Sequence, residues 1–109
     1  MENRKFLSTL GLCKKAGQLI IGFDPVAEAI KAGKVKLLLL ASDLSPKSAK
    51  EIIRIAKMHN IDILQMPAAM DEIMRLLGKR AGILAITGEG LAQVLKTSIA
   101  RQEEENNIC

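Results

Sequence analysis

Residues 18–41 read QLIIGFDPVAEAIKAGKVKLLLLA, and this stretch decides the fold. Residues 18–21 form an apolar run of strand length. Asp24 and Pro25 then make a helix-start signal: a carboxylate accepts hydrogen bonds from the free N–H groups of a first turn, and proline there forfeits no bond. Val26, Ala29 and Ile30 recur at helical spacing, and Gly33 is placed to end the helix. Residues 36–41 then run apolar without alternating, as expected of a central strand covered on both faces. Strand, helix and buried strand in succession imply a sheet with helices packed against it.

The same grammar extends outward. Upstream, Phe6, Leu7, Leu10 and Cys13 predict a helix over residues 2–16 that stops at Gly17. Downstream, Ser45 and Pro46 repeat the cap signal. The helix they open runs to about His59, burying Ala49, Ile52, Ile53 and Ala56, with Lys50, Arg54 and Lys57 on a solvated face. Residues 61–66 predict a third strand. Met70, Ile73, Met74 and Leu77 mark a helix that Gly78 ends, and residues 81–87 a fourth strand. Leu91, Val94, Leu95, Ser98 and Ile99 mark the last amphipathic helix. The alternation predicts an α/β fold, a four-stranded sheet between helix layers. It divides into one domain over residues 1–101 and an acidic polar tail over 102–109.

Composition narrows the function. No apolar run nears the roughly 18 residues that cross a bilayer, and Arg4, Lys5, Lys14 and Lys15 interrupt any signal-peptide core. The expectation is a cytoplasmic protein without a membrane partner. One histidine and two unrelated cysteines give no metal-ligand spacing, so neither metal nor cofactor is expected. Sixteen Lys and Arg outnumber twelve Asp and Glu, and three of those acids, Glu103, Glu104 and Glu105, lie in the tail. A basic body favours a polyanion. With two Phe and no Trp or Tyr, stacking of splayed bases on an aromatic platform is nearly excluded, leaving charge, backbone and shape as the means of gripping nucleic acid.

Three polar turns follow strands: Gly22-Phe23-Asp24, Ser42-Asp43-Leu44-Ser45 and Thr87-Gly88-Glu89-Gly90. In an all-parallel sheet Asp24, Asp43 and Glu89 would converge as a metal-dependent catalytic cluster. The simpler reading is favoured: Asp24 caps a helix, Asp43 organises a turn and Glu89 complements a helix dipole. The third turn lacks the Lys-Ser/Thr of a phosphate loop, and Glu89 would repel phosphate. Phe23 has no apolar staple partner, because Glu28 occupies that position; it either tucks under the sheet edge or stands exposed.

Three stretches, KKAGQLIIGFDPVAEAIKAG (14–33), KLLLLASDLSP (36–46) and GKRAGILAIT (78–87), resemble the kink-turn-binding ribosomal protein family of L-seven-Ae and L-thirty-e, including its small bacterial members. The resemblance implies a three-layer α-β-α sandwich with a mixed sheet, and a non-enzymatic, ribosome-associated RNA-binding role. In that family a Gly-x-Asn-Glu motif reads sheared G·A pairs, a downstream Lys contacts phosphate, and a loop before the last strand packs against an extruded base. Gly22 matches the glycine, while Asp24, Pro25 and Glu28 stand where Asn, Glu and Lys would be. The base-reading chemistry is therefore altered: Asp only accepts, Pro25 carries no polar group, and Glu28 reverses a charge. The implied RNA-binding set is Lys14, Lys15, Gly22, Phe23, Asp24, Lys31, Lys34, Lys36, Lys79 and Arg80, gathered at one rim. Implied partners are structured RNA, ribosomal or otherwise kink-turn-like, and ribosomal proteins. The alternative is a protein-interaction module on the same fold, using Phe23 and its neighbours.

Overall fold

A computed structural model describes the backbone of residues 3–108 and the side-chain surroundings of residues 4–99. The elements alternate as α1 (Asn3–Lys15), β1 (Leu19–Ile21), α2 (Phe23–Lys31), β2 (Leu37–Leu40), α3 (Pro46–Met58), β3 (Asp62–Gln65), α4 (Met70–Leu77), β4 (Ile83–Ile86) and α5 (Glu89–Ile108). The acidic tail expected at 102–109 lies outside the residues whose side chains are described.

The sheet order is β1-β4-β2-β3. β4 runs antiparallel to both β1 and β2, while β2 and β3 are parallel, so the sheet is mixed. All four residues of β2 and of β4 are buried, which is why both read as unbroken apolar runs. Alternate residues serve different cores. Leu37 and Leu39 join Leu84 and Ile86 beneath α1, α4 and α5, packed with Phe6, Leu10, Cys13, Ile73 and Leu95. Leu38 and Leu40 join Ile83 and Ala85 beneath α2 and α3, packed with Val26, Ile30, Ile52 and Ile55. This is the α-β-α sandwich.

Several local expectations shift. Gly22, not Asp24, is the N-cap of α2, with φ 105° and ψ 157°. A Cβ disfavours such a positive φ, so glycine sets the helix start. The first helical bond runs from Val26 N–H to the Gly22 carbonyl at 3.1 Å. Pro25 accordingly falls within the first turn, where its missing N–H has no partner to lose. Asp24 makes no side-chain cap; it is exposed in the first turn and complements the helix dipole. Phe23 is half-buried against the α2/α3 core, the tucked alternative.

In α3, Ser45 caps as expected, accepting from Ser48 N–H at 3.3 Å. Its buried stripe is Ile52, Ile55 and Ala56, with Ala49 and Ile53 only half-buried. In α4, Met74 is exposed, because the short helix turns only Ile73 and Leu77 fully inward.

Candidate nucleic-acid interface

Because β4 runs against its neighbours, the ends of β1, β2 and β3 share one end of the sheet with the start of β4. Gly22 N–H donates to the Ile83 carbonyl at 2.9 Å, and Ala41 N–H to the Gly82 carbonyl at 2.9 Å. The Gly22-Phe23-Asp24 turn, the Ser42–Ser45 turn and the loop carrying Lys79 and Arg80 therefore lie side by side. Gly82 is a close-approach position. A Cβ there would stand 2.7 Å from Leu44 Cδ1 and 3.1 Å from Met70 Sδ, so the absence of a side chain lets two loops and α4 pack together.

Asp43 has a specific task at this end. Its Oδ1 accepts from the Met70 backbone N–H at 2.9 Å, capping α4 from 27 residues away in sequence. The Glu72 carboxylate accepts from Ala69 N–H at 3.0 Å in the same turn. Arg80 extends back along α4, with Nε 3.3 Å from Asp71 Oδ1; both groups are exposed, so the pair holds the arginine only weakly.

Between α2 and α3 a groove of about 410 Å³ descends from this end, lined among others by Phe23, Asp24, Glu28, Lys31, Arg54 and His59. Glu28 and Lys31, nearly one turn apart on α2, both line this groove. On the α3 side Arg54 donates to Glu51 at 2.6 Å, and that hydrogen bond holds the Glu51 carboxyl below its usual range. His59 Nδ1 lies 3.1 Å from the Ile55 carbonyl.

The expectation of a single basic rim is not met. Lys36 N–H donates to the Ile86 carbonyl at 2.7 Å, at the far end of β4, and Lys34 N–H bonds the Ala29 carbonyl near the close of α2. Lys31 ends α2, and Lys14 and Lys15 end α1 just before β1 begins. Five of the ten expected residues, Gly22, Phe23, Asp24, Lys79 and Arg80, thus share the glycine-turn end, while Lys15, Lys31, Lys34 and Lys36 lie at the opposite end. Lys14 is engaged elsewhere: its Nζ donates to the Leu77 carbonyl at 2.7 Å, closing the end of α4. Lys57, read from sequence as part of a solvated face, joins the opposite end through the last turn of α3.

The same topology keeps Asp24, Asp43 and Glu89 from converging as one acidic cluster. Glu89 begins α5 after the far end of β4, a sheet length from Asp24 and Asp43. Among the described residues no three His, Cys, Asp or Glu side chains are grouped to hold a metal ion, and no helix is long and apolar enough to cross a membrane.

Comparison with known proteins gives the architecture its lineage. The chain is 31% identical over 74 residues to the large ribosomal subunit protein eL30 of Sulfurisphaera tokodaii, covering 68% of this chain and 70% of that protein. It is 27% identical over 100 residues to the RNA-binding protein YlxQ of Bacillus subtilis, covering 87% and 95% respectively. A solved structure from Bacillus halodurans, described as a protein with unknown function, superposes with a TM-score of 0.82 at 27% identity, covering 88% of this chain and 97% of that one. The model of the ribosomal protein L7Ae/L30e/S12e/Gadd45 family matches residues 4–96, and the chain belongs to that family.

Proposed function

We propose that the protein is a cytoplasmic, ribosome-associated RNA-binding module that docks structured RNA of kink-turn or related shape on its glycine-turn end, without catalysing a reaction. The observation that carries this reading is the adjacency of the Gly22-Phe23-Asp24 turn and the Lys79–Arg80 loop, made by antiparallel β4. Relatives named as ribosomal and RNA-binding proteins support it.

In this reading the bare Gly22 backbone and the N–H groups of the α2 first turn approach the RNA, and Phe23 supports the turn from below. Lys79 is the cation for phosphate, joined by Arg80 once RNA displaces Asp71. Asp24 accepts from base amino groups but cannot donate, so recognition leans on shape more than on base edges.

The test is titration of labelled RNA hairpins that differ only in whether they carry a kink-turn. The kink-turn hairpin binds more tightly, Lys79→Glu weakens it without unfolding the protein, and Asp24→Asn strengthens it by about 1 kcal/mol, roughly fivefold, by restoring a donor. Equal affinity for both hairpins refutes the proposal.

A further inference from the structure

We propose that the opposite end of the sandwich is a second RNA-contacting surface, a lysine pole that grips the phosphate backbone of a duplex segment separate from the one held at Gly22. RNA as the partner rests on the reading above; the location and mode of contact do not.

The charge distribution carries the inference. Lys15, Lys31, Lys34, Lys36 and Lys57 are all exposed at this end, delivered by the ends of α1, α2 and α3 and by the α2–β2 loop. None of the five forms an ion pair among the described residues. The acids nearby are Glu28, three residues before Lys31 on α2, Asp62, already paired with Lys96 at 2.7 Å, and Glu89, in the first turn of α5. The glycine-turn end, by contrast, sets Asp24, Asp43, Asp71 and Glu72 among its cations. Five exposed lysines outside any ion pair among the described residues are therefore grouped away from the Gly22 turn.

Helix electrostatics account for part of this, since lysines in the last turns of α1, α2 and α3 complement carbonyl ends. They do not account for Lys34 and Lys36. These two lie beyond α2, in the connection to a central strand, and alternate with buried Val35, which anchors the segment in the core. Both amides are fixed by backbone bonds, so the two ammonium groups rise from an ordered base. The lysines come from both helix layers, α1 on one face of the sheet and α2 and α3 on the other, so the group can meet several backbone phosphates. No aromatic ring stands among them, so the grip is electrostatic and indifferent to sequence.

The experiment is anisotropy titration of a plain RNA duplex at several salt concentrations, with the full chain and with a Lys34→Gln, Lys36→Gln double variant. The parent binds the duplex with steep salt dependence. The variant keeps its circular dichroism spectrum and urea midpoint, and its slope of log affinity against log salt becomes shallower by about 2, one counterion for each lost contact. An unchanged slope overturns the proposal, as does a variant whose only loss is binding to poly-glutamate, which would assign the pole to an acidic protein. The ratio of kink-turn to plain-duplex affinity reports separately on the Gly22 end: a ratio of one in the parent refutes the first reading and leaves the duplex slopes interpretable.

Discussion

Gly22 combines three demands that no other side chain meets together. It holds φ at 105°, donates its N–H to Ile83 and accepts the first helical bond of α2. A Cβ would find space, its nearest neighbour being Pro25 Cδ at 3.6 Å, so the cost of substitution is conformational and not steric. Gly22→Ala should lower stability by about 1–3 kcal/mol, read from the urea midpoint, and should weaken kink-turn binding further by tilting the turn. Cys13 offers a residue-level test of the other core. Burial pushes its thiol pKa above the ordinary value of 9.0, because the thiolate would lose its hydration. The folded state thus disfavours ionisation, and the stability this confers is fully present below the unfolded thiol's value and is lost as pH rises from there through the raised folded value. Between pH 7 and 10 the parent should lose more stability than Cys13→Ala, measured by denaturation in parallel, since the remaining titrations are common to both.

At the level of elements, the helices are fixed by caps of two kinds. Ser45 and Pro46 cap α3 locally, and both were legible because the capping residues adjoin the helix they serve. α4 is capped from a distance: Asp43, at the end of β2, reaches the Met70 N–H. The sequence around Ala69 carries no N-cap side chain, so nothing there points to the donor's partner. Asp43→Ala should cost about 1 kcal/mol by urea denaturation, and Asp43→Asn distinctly less, because an amide oxygen still accepts. Lys14 closes the other end of α4 through Leu77. Read from the chain it is one cation in a basic pair; in the fold it holds two helices together, and Lys15 alone remains available to a ligand.

For the whole molecule, the four leucines of β2 explain why one continuous run can serve two cores. Leu38 and Leu39 are adjacent, fully buried and turned to opposite helix layers. Leu38→Ala and Leu39→Ala should each cost about 2–5 kcal/mol in urea unfolding, whereas a sheet with one wet face would spare one of them. Much of the architecture was legible in the residues. Apolar periodicity, cap residues and glycines act over a few positions, so they specified the kinds, order and approximate limits of the elements, while the basic, aromatic-poor composition favoured a polyanion and the family resemblance pointed to RNA. The grouping of functional residues was not legible, because it depends on strand order and direction. Those are settled by which faces bury against each other across the whole chain. Antiparallel β4 brings Lys79 and Arg80 to Gly22, while the length of α2 carries Lys31, Lys34 and Lys36 to the opposite end. Sequence by itself determined that this protein is a basic α/β sandwich with a glycine turn; only tertiary structure decided that its positive charge is divided between two ends, since local patterns cannot encode a partner that lies across the sheet.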